Sequence, residues 1–147
     1  ELVNKIKFIF ISGKLNKNFT KIKKICEKKK NYLCFKHIEN FRNKLNSINL
    51  SIGSSGHSFV EKLLMEIPTL IITSNSLQKS FARSINKKKL GIYLGHFNKI
   101  KDYEIEKQII SFINNKKNYF KLKKNIKKFI DNTENNYKNW QSYISKI

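Results

Sequence analysis

The chain has 147 residues, enough for one ordinary domain with a buried core or for half of a two-domain protein. Its formal net charge is +21, but lysine outnumbers arginine 29 to 2 and the basic residues are scattered, which argues against specific nucleic-acid recognition, where the guanidinium fork is heavily used. No apolar run approaches the ~20 residues that span a bilayer, which excludes a transmembrane helix.

Residues 5–12 (KIKFIFIS) are β-branched and aromatic, end at Gly13, and predict a first strand. Phe19, Ile22, Ile25 and Cys26 recur at helical spacing on a lysine-rich background and predict a helix over 18–30. A second short strand follows at 31–36. Ile38, Phe41 and Leu45 mark one face of a short helix over 38–45. The apolar run 48–52 predicts a third strand, and a glycine loop follows it. The next helix covers 58–66, with Phe59, Leu63 and Val60 turned inward. Pro68 opens a fourth strand over 68–73, a helix covers 77–86, and a fifth strand at 90–94 is flanked by Gly91 and Gly95. Strands then stop. Residues 102–112, 116–130 and 132–147 read as two or three helices forming a helical tail over 102–147, with a polar break at 114–118.

This alternation predicts an α/β, Rossmann-like domain over 1–147, a parallel sheet of about five strands with helices on both faces. Ligands of such sheets bind at the carboxyl ends of the strands. Ser12-Gly13, Lys36-His37, the glycine loop and Ser74-Asn75-Ser76 are expected at that edge. The loop Gly53-Ser54-Ser55-Gly56-His57 is the most informative stretch. Its glycines let backbone approach a ligand closely. The helix start after it offers unpaired N–H groups and the positive end of a dipole to an anion.

Ser58 and Glu61 have the spacing of a capping box. The other reading of Glu61 is that its two acceptor oxygens hold a vicinal diol such as a ribose. His57 is either a polar surface residue or a phosphate donor at the helix start, and His37 could lie beside a bound base. The sequence shows no metal-ligand spacing, no Ser-His-Asp order and no Cys-His pair, so no metal, no cofactor and no catalytic residue is assigned. Cys26 and Cys34 lack motif partners and read as reduced thiols, from which a cytoplasmic setting follows. Lys, Asn and Ile, whose codons are AT-rich, make up nearly half the chain, so a low-GC genome accounts for much of the charge. The first residue is Glu1, not Met, and a fragment is expected.

The block Gly53-Ser54-Ser55-Gly56-His57-Ser58-Phe59-Val60-Glu61, then Leu64-Met65-Glu66-Ile67-Pro68-Thr69-Leu70-Ile71-Ile72, then Gln78, resembles the carboxy-terminal half of GT-B-fold sugar-nucleotide enzymes. Among these it is similar to the UDP-sugar hydrolases of pseudaminic acid biosynthesis, with their G-x-G-G-S-T-S-W-E loop, G-x-P strand entry and Asn-Gln pair. The transferase that adds N-acetylglucosamine to the lipid-linked peptidoglycan precursor has a related loop. The resemblance implies a UDP-sugar substrate. Glu61 would hold the ribose, Gly56, His57 and Ser58 would meet the diphosphate, Gln78 would face the sugar, and Gly53 belongs to the same substrate-binding loop. It also implies that the catalytic base lies in an amino-terminal half outside this chain. Ser55 stands for a glycine, His57 for a serine, Val60 for an aromatic residue and Leu77 for the Asn of the pair. The expected function is the UDP-sugar-binding half of a hydrolase. The alternatives are a GT-B glycosyltransferase and a non-enzymatic basic module for RNA or anionic surfaces.

Overall fold

The computed structural model describes residues 5–134. The elements in chain order are β1 (Phe8–Ile11), α1 (Phe19–Glu27), β2 (Tyr32–Phe35), α2 (Phe41–Leu45), β3 (Ser51–Gly53), α3 (His57–Leu64), β4 (Thr69–Thr73), α4 (Ser76–Lys87), β5 (Ile92–His96), α5 (Asp102–Asn114) and α6 (Lys116–Glu134). Of the helix expected over 132–147, the part beyond Glu134 lies outside the described residues. The class is α/β with parallel strand pairs and carboxy-terminal helices, as the alternation predicts. The single sheet expected is instead two sheets, β1-β2 and β3-β4-β5. They fall in two compact units, the first closing at Lys44 and the second opening at Leu45.

In the first unit β1 and β2 pair in parallel from Phe8 opposite Tyr32 to Ile11 opposite Phe35. Phe8 and Phe10 share one face by the two-residue repeat of a strand and meet Tyr32 in tilted ring contacts at separations of 5.0 and 5.3 Å. The crossover helix α1 packs on β2 and buries Cys26. Burial, and then the neighbouring Cys34, push the Cys26 thiol above its ordinary pKa. Ile25, expected inward, is 62% exposed. The buried stripe follows Phe19, Ile22 and Cys26 at three and four residues, and Ile25 falls beside it.

In the second unit β4 is the central strand. Thr69, Leu70, Ile71 and Thr73 are each 0% exposed, the near-continuous burial of a parallel strand covered on both faces. The core joins Phe59 and Leu63 of α3 to Leu70 and Ile71, Ala82 and Ile85 of α4, Phe112 of α5 and Ile126 of α6. α3 ends in a Schellman motif: Ile67 N–H donates to Lys62 O and Glu66 N–H to Leu63 O, both at 2.9 Å, with Glu66 at φ 53°. That tight stop turns the chain into β4 within four residues of the helix. On β5, Ile71 faces Tyr93 while Ile72 faces Gly95, so Leu94 is a bulged residue. Gly95 at φ 143° takes a backbone conformation that a side chain would disfavour. Asp102 and Glu104 sit in the first turn of α5, where the helix dipole favours them, and Glu104 Oε2 accepts from Lys101 N–H at 2.8 Å. Among the described residues no helix is long and apolar enough to cross a membrane.

Candidate functional site

Parallel pairing puts the carboxyl ends of β3, β4 and β5 on one edge of the three-stranded sheet. Gly53 ends β3, Ser74 follows β4, and His96 ends β5. From Gly53 the chain runs through Ser54 and Ser55 to Gly56, the N-cap of α3, whose backbone is extended at φ −89° and ψ −161°. The helix therefore starts at His57, one residue before the expected start. This corrects the capping-box reading. Ser58 is the second helical residue and Glu61 the fifth, beyond the position from which a carboxylate reaches back to an N-cap, and the N-cap glycine has no side chain to accept a bond.

Phe59 anchors the helix. It is 1% exposed and meets Phe81 edge to face at 6.1 Å. At 100° per residue, His57 and Glu61, two positions either side of Phe59, turn to the opposite face. They stand four residues apart and so share that face, and both are exposed. Ser58 is half-buried. A histidine and a carboxylate thus project side by side from a helix that opens on a glycine.

The two loop glycines do different work. A Cβ at Gly56 would meet nothing closer than Ser54 Oγ at 3.9 Å, so the backbone there is open to close approach. A Cβ at Gly53 would lie 3.0 Å from Lys62 Nζ. Gly53 therefore leaves room for an ammonium of the protein itself. Lys62 is on the inner side of α3 with Phe59 and Leu63 and is buried. Burial pushes its ammonium below the ordinary value of 10.5, and the Glu61 carboxylate pulls it part of the way back.

Ser55, 3% exposed, donates its hydroxyl to Gln78 O at 2.7 Å. This bond ties the glycine loop to the first turn of α4. Asn75 caps that helix, its Oδ1 accepting from Gln78 N–H at 2.9 Å. Gln78 Oε1 in turn accepts from Ser74 N–H at 2.9 Å and from the Ser74 hydroxyl at 3.0 Å. The Gln78 amide is thereby oriented, with its NH₂ the group left to offer a ligand. Leu77, beside it, is 85% exposed. Replacing Ser55 by Ala is expected to destabilise the chain by about 1 kcal/mol, the net worth of one hydrogen bond, since Gln78 O keeps its partner within α4. Urea denaturation against the parent chain measures it, and an unchanged midpoint would show that the loop is not held this way.

Six of the seven predicted site residues, Gly53, Gly56, His57, Ser58, Glu61 and Gln78, come together in the second unit through the loop, α3 and the Ser55 bond. His37 belongs to the first unit, exposed, two residues beyond β2. The sequence assigns no site role to three residues of the second unit: Lys62, Ser55 and His96. His96 stands at the edge where ligands of parallel sheets bind. Its Nδ1 accepts from Asn98 N–H at 3.3 Å and its ring lies 5.0 Å from that of Phe97. Its position at a strand end was the available signal. Among the described residues no cluster of three His, Cys, Asp or Glu side chains could hold a metal ion.

The model of the family described as Glycosyltransferase family 28 C-terminal domain matches residues 1–138. No curated protein matches the chain.

Proposed function

The chain belongs to the glycosyltransferase family 28 C-terminal domain family, a GT-B glycosyltransferase-like domain that binds nucleotide sugars, and on that premise we propose that residues 1–147 act as one domain that binds a UDP-sugar. The observation that carries the proposal is the pair His57 and Glu61, exposed on one face of a helix that opens from a glycine N-cap at the carboxyl edge of a parallel sheet. In this reading the diphosphate sits against Gly53, Gly56 and the first N–H groups of α3, where the helix dipole favours negative charge. His57 and Ser58 donate to it. Glu61 accepts from the two ribose hydroxyls, and Gln78 turns its NH₂ to the sugar.

For the reaction, the resemblance of the 53–61 loop and the Pro68 strand entry supports a hydrolase of pseudaminic acid biosynthesis, in which water attacks the anomeric carbon and UDP leaves. The second reading, transfer of the sugar to a hydroxyl acceptor, is favoured by the family match. Either reaction needs a positioned base, which this proposal assigns to an amino-terminal GT-B half as partner. The setting proposed is cytoplasmic, in keeping with the free thiols of Cys26 and Cys34.

Calorimetry tests the binding claim. UDP is expected to bind more tightly than CDP or GDP, and its advantage is expected to persist from low to physiological salt. Equal binding of all three, collapsing together with added salt, is the behaviour of a basic surface that attracts any polyanion. That outcome would replace this proposal with the non-enzymatic module.

A further inference from the structure

We propose that Lys62 is a phosphate-binding residue of the glycine loop, its ammonium meeting the diphosphate from the inner side of α3. The inference rests on the reading of this loop as a diphosphate site and adds a residue to it. Lysine is almost never fully buried unless it is paired. Lys62 is 7% exposed. Among the described residues Lys62 Nζ makes no ion pair and no hydrogen bond, and what exposure the side chain keeps includes the ammonium itself, which leaves it reachable by a ligand.

Its position explains where the charge is aimed. Phe59, Lys62 and Leu63 follow the three- and four-residue spacing of the inner stripe. An apolar side chain would serve packing there without the cost of desolvating a cation. Side chains on a helix lean toward its amino terminus, so a long stem from position 62 runs back toward the first turn. It arrives at Gly53, the residue whose missing Cβ leaves it space. The ammonium, the loop backbone and the positive end of α3 are thus gathered at one place. The ammonium and the positive end of α3 both favour an anion placed beside them. A cation already stripped of much of its water gains more from that anion than a solvated one does.

The chemistry recognised is a phosphate or diphosphate group. Glu61, on the outer face, is left for the nucleoside. The two residues are neighbours in sequence yet serve opposite ends of the ligand, a division that experiment can separate.

The test titrates UDP, uridine and inorganic pyrophosphate into the parent chain and Lys62→Met, with far-UV circular dichroism as the check of fold. Lys62→Met is expected to weaken UDP and pyrophosphate about tenfold or more, the loss of a charge-assisted hydrogen bond, and to leave uridine unchanged. Its melting temperature is expected to stay level or rise, because a buried charge is replaced by an apolar chain of similar length. Should Lys62→Met lose its helical signal, the same titrations on Lys62→Gln decide. Selective UDP binding that neither variant weakens overturns the inference and leaves the proposed function standing. Lys62-dependent binding of pyrophosphate, with UDP no tighter than pyrophosphate, supports the inference and removes the nucleoside from the proposed function.

Discussion

Replacing Phe59 by Ala is expected to cost about 3–5 kcal/mol, the range for deleting a large aromatic side chain from a packed core. Total stabilities of such domains are about 5–15 kcal/mol, so this one change removes a large share. The expectation follows from where the ring sits. Phe59 is 1% exposed, meets Phe81 edge to face and closes over Gly91, where an added Cβ would already lie 3.3 Å from the Phe59 ring. The glycine and the phenylalanine are matched, so the hole left by alanine has no neighbouring side chain at position 91 to fill it. Phe59 is also the third residue of α3, and its burial holds the helix amino terminus against the sheet. Ligand contacts on the outer face of α3 are therefore expected to weaken together in Phe59→Ala, whereas Phe59→Leu should retain much of both stability and binding. Urea denaturation followed by circular dichroism measures the first effect. A loss under about 1 kcal/mol would mean that this ring is not the anchor of the helix.

What the sequence made legible is what has a periodic signature. β4 is readable because every residue of Thr69-Leu70-Ile71-Ile72-Thr73 is either β-branched or apolar and the run is entered through Pro68. α3 was readable because Phe59 and Leu63 stand one turn apart. The misplaced helix start has a specific cause. A glycine N-cap offers no side-chain signal, and Ser58 and Glu61 happen to have the spacing that a capping box requires. Lys62 was missed for a related reason. A lysine in a chain with a net charge of +21 is read as one more solvated charge. Only its place on the inner stripe, between Phe59 and Leu63, marked it as different. Ser55 bonds to a backbone carbonyl, and a backbone acceptor leaves no trace in residue types. Its substitution for a glycine looked like a departure from the pattern, yet it supplies the link between the loop and α4. The division into two sheets was equally hidden. Strand runs announce themselves by composition, while the choice of partner depends on contacts distant in sequence.

Glu61→Gln is expected to weaken UDP binding about ten- to a hundredfold, the loss of charge-assisted hydrogen bonds to the ribose, while stability stays within about 0.5 kcal/mol. The sequence alone left a competing expectation, that Glu61 caps its helix and that its loss would cost stability. With α3 starting at His57, Glu61 is a turn too far along to cap it. Its exposed carboxylate makes no ion pair within 4.0 Å among the described residues. The sign of the binding change is itself diagnostic. In so basic a chain, removing a carboxylate raises the positive potential, and attraction of any polyanion to the surface should then increase. Weaker UDP binding in Glu61→Gln therefore runs against the change in net charge. A second arm tests for contacts made by the carboxylate. UDP lacking its 2′-hydroxyl is expected to bind the parent chain less well than UDP does, and Glu61→Gln is expected to narrow or abolish that difference, because the hydroxyl and the carboxylate are two sides of one interaction. Uridine should follow UDP in losing affinity to Glu61→Gln, the opposite of the pattern expected for Lys62→Met. UDP affinity unchanged in Glu61→Gln, or a 2′-hydroxyl preference that survives the substitution, would remove Glu61 from the ribose and leave it as a solvated charge on the outer face of α3.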